Sequence, residues 1–227
     1  MVVLCCLSLA TQGQERVELS LNADIVSRYV WRGLDNGHAS IQPSLEVAWK
    51  GISVSAWGSV GFIDKNDAKE IDLEASYTIG GLTLGIIDYW PDTPSSRYFN
   101  YNAHSTNHAF EGYISYDFGV LNLSWQTFFA GSDYVESKGR RAYSSYAELS
   151  VPFRLITCDW EAAIGVVTHE SDYYETTGTA LTNLSLKATK TIPITQKFVL
   201  PIFAQLMANP YAKHTYFVIG LSIGVGG

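Results

Sequence analysis

The chain has 227 residues, of which 13% are aromatic and only 16% charged, and it carries a net charge of −7. Soluble domains average roughly 25% charged residues, and a helical membrane protein needs runs of about 20 apolar residues, which this sequence lacks. An acid excess with no basic stripe excludes nucleic acid as a partner, because nothing would neutralise the phosphates.

The opening, MVVLCCLSLATQGQE, reads as the apolar stretch of a secretory signal followed by small and polar residues. A basic leading segment is missing, so residues 1–13 are expected to be an atypical or incomplete signal peptide and 14–227 a single domain. A buried N-terminal strand is the alternative. Cleavage near Ala10 or Gly13 removes Cys5 and Cys6, and Leu4 stands where a lipoprotein would have a small residue. Cys158 is then alone, and no internal disulfide is possible.

From Arg16 onward the dominant period is two. Leu121-Asn122-Leu123-Ser124-Trp125-Gln126-Thr127 and Ile71 to Ile79 alternate apolar with polar, as do 110–118, 181–188 and 217–225. Successive strand side chains face opposite ways, so each segment has one oily and one polar face. Twelve strands are predicted, over 16–32, 39–50, 52–63, 69–80, 82–91, 107–118, 120–133, 141–152, 156–168, 180–191, 197–207 and 214–226. Short turns at Gly51, Gly80-Gly81, Gly119, Pro152-Phe153-Arg154 and Ile192-Pro193-Ile194 alternate with longer links at 33–38, 64–68, 92–106, 134–140 and 169–179. That sorting, strands long enough for a bilayer, and an even strand number describe an antiparallel up-and-down transmembrane β-barrel with both termini at the periplasmic end.

Rings near strand ends (Tyr29, Trp31, Trp49, Tyr89, Trp90, Tyr116, Phe118, Tyr216 and Phe217) are expected to form interfacial girdles. With the oily face outward, the inward residues are Glu18, Asn22, Asp24, Gln42, Asp117, Asn122, Gln126, Asp159, Glu161 and the candidate pore-lining set. That set is Arg28, Arg32, Glu46, Asp72, Glu74, Glu111, Glu148 and Lys187. Segregation of charge to one face is what lipid demands, since a mid-depth Arg or Lys on the lipid side costs roughly 2–4 kcal/mol. Arg28 is placed within diagonal reach of Glu46. A selectivity ladder in a wet pore and a set of structural ion pairs are both compatible with these charges. An open lumen with this acid excess would mildly prefer cations.

The segment DIVSRYVWRGLDNGHASIQPSLEVAW resembles the opening of the TorF-type porin family of Gram-negative bacteria, which reads roughly S-x-Y-x-x-R-G, a short polar loop and a second alternating strand. Ser27, Tyr29, Arg32 and Gly33 carry the match, followed by Gln42 and Ser44. It is clearest over about 24–60. The resemblance implies an outer-membrane barrel with a channel role. Barrels of this kind commonly end on an aromatic residue read by the assembly machinery, whereas this chain ends Ile223-Gly224-Val225-Gly226-Gly227.

All five histidines, His38, His104, His108, His169 and His214, fall in or beside the longer links. His169-Glu170-Ser171-Asp172 holds acid, base and nucleophile types, but adjacency is not triad geometry. The His104 and His108 spacing is a weak metal signal. Loop 92–106 carries three aromatics and is expected to fold inward as a constriction, with an outward ligand-binding surface or packing against a neighbour as alternatives. The expectation is therefore a non-enzymatic outer-membrane channel without cofactor, passing small hydrophilic solutes. Its partners would be outer-membrane lipids and the barrel-assembly machinery. The alternatives are a closed structural or ligand-binding barrel and, less favoured, a lipid-modifying enzyme or a soluble sandwich.

Overall fold

The computed structural model describes residues 16–64, 67, 69–93, 95–135, 138–196 and 198–226; the expected signal peptide lies outside them. Twelve long antiparallel strands follow the period-two segments: β1 (Glu18–Val26), β4 (Ser40–Trp49), β5 (Ile52–Gly61), β6 (Lys69–Ile79), β7 (Leu82–Asp92), β8 (Ala109–Asp117), β9 (Asn122–Gly131), β12 (Ser145–Leu155), β13 (Cys158–Val167), β14 (Ala180–Pro193), β15 (Val199–Asn209) and β16 (His214–Gly226). Two short hairpins stand apart from them, β2 (Tyr29–Trp31) with β3 (Leu34–Gly37) and β10 (Tyr134–Val135) with β11 (Arg140–Arg141). Each long strand pairs with its sequence neighbour, and β1 pairs with both β4 and β16, so the sheet closes into a barrel. Closure leaves no unpaired edge, which lipid would not tolerate.

The two faces of the wall differ as the alternation requires. Leu21, Leu45, Val54, Leu73, Ile86, Ile114, Trp125, Ile164, Leu184, Leu206 and Ile223 point out of the barrel and are exposed on its surface. A soluble sandwich would bury these side chains, because burial of each is worth roughly 1.5–3 kcal/mol. Left on the outside all the way round, they form the surface that meets hydrocarbon.

Two turns differ from expectation. Strand β12 continues through Pro152, Phe153 and Arg154, which face Glu161, Trp160 and Asp159 on β13. The turn comes later, at Ile156-Thr157. Similarly β14 runs through Ile192 and Pro193 before turning. Ile156 sits at φ +59° and is 88% exposed. A β-branched residue in that left-handed region is strained with no packing in return. Ile156→Asn is therefore expected to stabilise the barrel by about 1 kcal/mol, read as a higher urea midpoint in detergent or lipid.

The first strand ends early. The alternation predicts a strand to residue 32, but the strand stops at Val26, where Ser27 exchanges hydrogen bonds with the Ile219 backbone (Ser27 N to Ile219 O, 2.8 Å; Ile219 N to Ser27 Oγ, 3.0 Å). From there the chain leaves the wall and forms β2–β3 inside the barrel. The expected girdle splits accordingly. Trp49, Tyr116, Phe118 and Phe217 are outward and exposed, whereas Tyr29, Trp31 and Tyr89 are buried in the interior and Tyr216 also faces it.

Candidate functional site: the lumen and its inserted hairpin

Residues 29–37 form a tight hairpin whose two turn residues, Arg32 and Gly33, lie at φ +49° and +83°. Positive φ at both positions is the type I′ turn that suits the twist of a two-residue hairpin. Gly33 is required for a second reason: a Cβ there would lie 1.8 Å from the Thr182 carbonyl oxygen of β14. Asn209 Nδ2 also donates to the Gly33 carbonyl at 3.2 Å. The tip of the hairpin is thus docked on the β14–β15 wall.

From this tip Arg32 reaches the far side. Its two terminal nitrogens donate to the two oxygens of Glu111 on β8, at 2.6 and 2.9 Å. In the ring of twelve, that strand is four steps from β14 and five from β15, where the tip is docked. Glu111 is fully buried and the Arg32 side chain 8% exposed. Tyr89 donates to Glu111 at 2.8 Å, and the Tyr174 hydroxyl bonds Arg32. The guanidinium also lies 4.4 Å from the Trp31 ring and 4.8 Å from the Tyr146 ring. Burial works against its charge, but the facing carboxylate more than offsets this and holds the Arg32 pKa above its ordinary value.

Aromatics fill the space around this pair. Trp31 stacks on Tyr174 with ring centres 5.5 Å apart, and Tyr174 stacks on Tyr146 at 5.8 Å. Tyr173 and Tyr174 come from the 168–179 loop, which also folds in. Its Ser171 accepts the Tyr174 amide at 3.0 Å and bonds Ser144, whose hydroxyl donates to Asp133 at 2.5 Å. Tyr29 donates to Glu70 on β6 at 2.7 Å and packs on Trp57. Together these groups make a buried core inside the barrel, toward the end that carries the longer loops.

The remaining candidate residues are spread along the lumen. Arg28 pairs with Asp35 of the hairpin and lies over the Tyr216 ring, so the diagonal contact with Glu46 does not form. Glu46 stands between Ser20 and Ser55, exposed to the lumen toward the short-turn end. Glu74 accepts from Tyr113, and Glu148 from Tyr146 and from Asn183 at 3.1 Å. Lys187 lies opposite Glu161 with its ammonium 4.3 Å from the Phe203 ring centre. Asp72 lies buried on β6 between Trp57 and Tyr89.

The expected constriction by loop 92–106 is not formed. Strand alternation places His108 and Asp88 on the outside of the wall, because Ala109 and Glu111 face in. His108 bonds Asp88 at 2.8 Å and the Tyr98 carbonyl, and the Tyr101 ring stacks on it at 4.4 Å. This loop therefore covers a hydrogen-bonded histidine and carboxylate on the outer wall, keeping these polar groups from lipid, and the lumen is narrowed by the 29–37 hairpin and 168–179 loop instead. His104 packs against the Tyr134 ring, away from His108's partners. His169 bonds Thr168 and the Ala142 carbonyl while Glu170 pairs with Lys138, so the acid, base and nucleophile types of 169–172 go to different partners. Above Tyr173, His104, Ser132, Tyr134 and Asp172 surround a basin of about 470 Å³.

The hairpin is also tied to the next loop. Asp67 accepts the His38 amide at 3.2 Å and the His38 ring at 2.7 Å, and the ring contact holds its carboxyl below the ordinary range. A carboxylate with a depressed pKa contributes above its unfolded value and loses that contribution as pH falls through the folded value. The protection factor of the His38 amide, its exchange rate relative to an unstructured amide at the same pH, is thus expected to fall below about pH 4, and Asp67→Asn should lower it at neutral pH.

No family model matches the chain, and no curated protein matches it. Among solved structures it is similar to the KdgM porin, at 6% identity and a TM-score of 0.48, covering 90% of this chain and 97% of that one. It is similar to the NanC porin at 12% identity and a TM-score of 0.48, covering 91% and 97%. The COG4313 outer membrane channel from Pseudomonas putida F1 aligns at 12% identity and a TM-score of 0.43, covering 93% and 95%.

Proposed function

We propose that this chain is a bacterial outer-membrane channel passing small hydrophilic solutes by passive diffusion, with the 29–37 hairpin as the plug of its closed state. The observation that carries this reading is a polar lumen inside a wall whose outer face is apolar all the way round. Residues 1–13 would direct export, the assembly machinery would insert the barrel, and the longer loops would face outward. The likeness of 24–60 to the TorF-type opening supports the same reading. The basin above Tyr173 is the vestibule, and Glu46, Glu74, Glu148 and Glu161 with Lys187 line the passage beneath the plug. Among these described residues acids outnumber the cation, so a weak preference for cations is expected. A reversal potential favouring anions would remove that part of the proposal.

A second reading, a permanently closed structural barrel, is favoured by one feature, the Arg32–Glu111 pair spanning the lumen. Liposome swelling separates the two. Solute-dependent swelling by the full chain supports a channel whose plug opens; no swelling, with or without the hairpin, supports the closed scaffold.

A further inference from the structure

We infer that Glu70 and Asp72, together with the Ser59 hydroxyl, form a binding site for a hard divalent cation on the lumen wall beside the hairpin. Both carboxylates belong to β6 and face inward on either side of Ile71, which points out toward lipid. They are buried, 9% and 7% exposed. Among the described residues no Lys, Arg or His forms an ion pair with either one, and Arg32 is committed to Glu111. Two neighbouring carboxylates cannot both keep their charge out of water without a counter-charge, so the pair must share a proton or hold a cation.

A second feature points to the cation. Ser59 on β5 stands directly opposite Glu70 in the ladder, is fully buried, and its hydroxyl has no hydrogen-bond partner among the described residues. Oδ1 of Asp72 is likewise without a partner. Facing residues of a ladder hold their Cβ atoms about 4.5–5.5 Å apart, so these oxygens converge on one stretch of wall. Glu70 already receives the Tyr29 hydroxyl, which adds a further oxygen at its edge. Carboxylate and hydroxyl oxygens without sulfur or imidazole suit calcium-like ions rather than softer metals. A cation here would neutralise the wall at the point where Tyr29 fastens the hairpin to it.

Trp57 faces Asp72 in the same ladder and supplies an antenna for terbium, which takes oxygen ligands as calcium does. The test titrates terbium into the refolded full chain in detergent, exciting indole and reading terbium emission. A saturable signal reversed by calcium is expected. Asp72→Asn and Glu70→Gln should each weaken it by about tenfold or more, while heat-modifiable gel migration stays that of a folded barrel. Should Glu70→Gln fail to fold, Asp72→Asn carries the test alone, because an asparagine keeps an oxygen that can accept the Trp90 amide and an amide that can donate to Glu70. Emission that does not saturate, or that keeps its affinity in Asp72→Asn, overturns the assignment and leaves a shared proton as the account of the pair.

Discussion

Replacing Arg32 with alanine is expected to undock the hairpin and raise ion conductance more than any other single side-chain truncation in the lumen. Glu111 is fully buried and takes two of its hydrogen bonds from Arg32. Removing one partner of such a pair strands the other charge, at a cost of about 3–5 kcal/mol. Water can relieve that cost only by entering beside Glu111, which the docked hairpin prevents. The closed arrangement therefore loses stability relative to an undocked one, and a loss of about 3 kcal/mol shifts the ratio by more than about a hundredfold. Glu111→Gln should act in the same direction but less strongly, because it keeps one acceptor for Tyr89 and Arg32. A coupling energy near zero in the Arg32/Glu111 double-mutant cycle would mean that the pair does not hold the plug.

Gly33→Val should give a comparable opening by a different route. Its Cβ would overlap the Thr182 carbonyl, a backbone atom fixed in β14, and valine resists φ +83°. Neither obstacle is eased by a side-chain rotation. The hairpin tip cannot reseat, so the variant should conduct persistently, while the barrel keeps its heat-modifiable migration because the tip, which lies outside the strand ladder, can move away from Thr182. Addition of a trypsin pulse discriminates further: Arg28 and Arg32 should be cut in Gly33→Val and protected in the parent chain. Equal protection in both would show that the tip tolerates displacement without undocking.

The barrel was legible because strand alternation is a local property. Leu121 to Thr127 or Ile71 to Ile79 state their two faces without reference to any neighbour, and lipid contact forces that pattern on every strand. The hairpin was less visible, although two signals lay in the residues. A first strand from 16 to 32 is longer than the roughly 9–11 residues a tilted crossing needs, and the surplus is the inserted segment. The run Arg32-Gly33-Leu34-Asp35-Asn36-Gly37 is also dense in turn formers. Rings such as Tyr29, Trp31 and Tyr89 read as girdle because proximity to a strand end looks the same whether a ring meets lipid or the lumen. Arg32 and Glu111 were both placed inward, but 79 positions separate them in the chain, and only closure of the wall brings them together. Tyr174 gave no signal, since its role depends on the 168–179 loop folding in. Loop 92–106 misled for a related reason: its aromatics suited a constriction equally well, and the deciding fact, His108 on the outer wall, follows from the phase of β8.

The most direct test of this account is a planar-bilayer recording of the barrel with residues 29–37 replaced by a short Gly-Ser link, set against the parent chain. The account predicts a steady, weakly cation-preferring conductance in the shortened barrel and brief, infrequent openings in the parent. A shortened barrel that folds, inserts and passes no current would contradict it, because the polar interior would then not be a water-filled path.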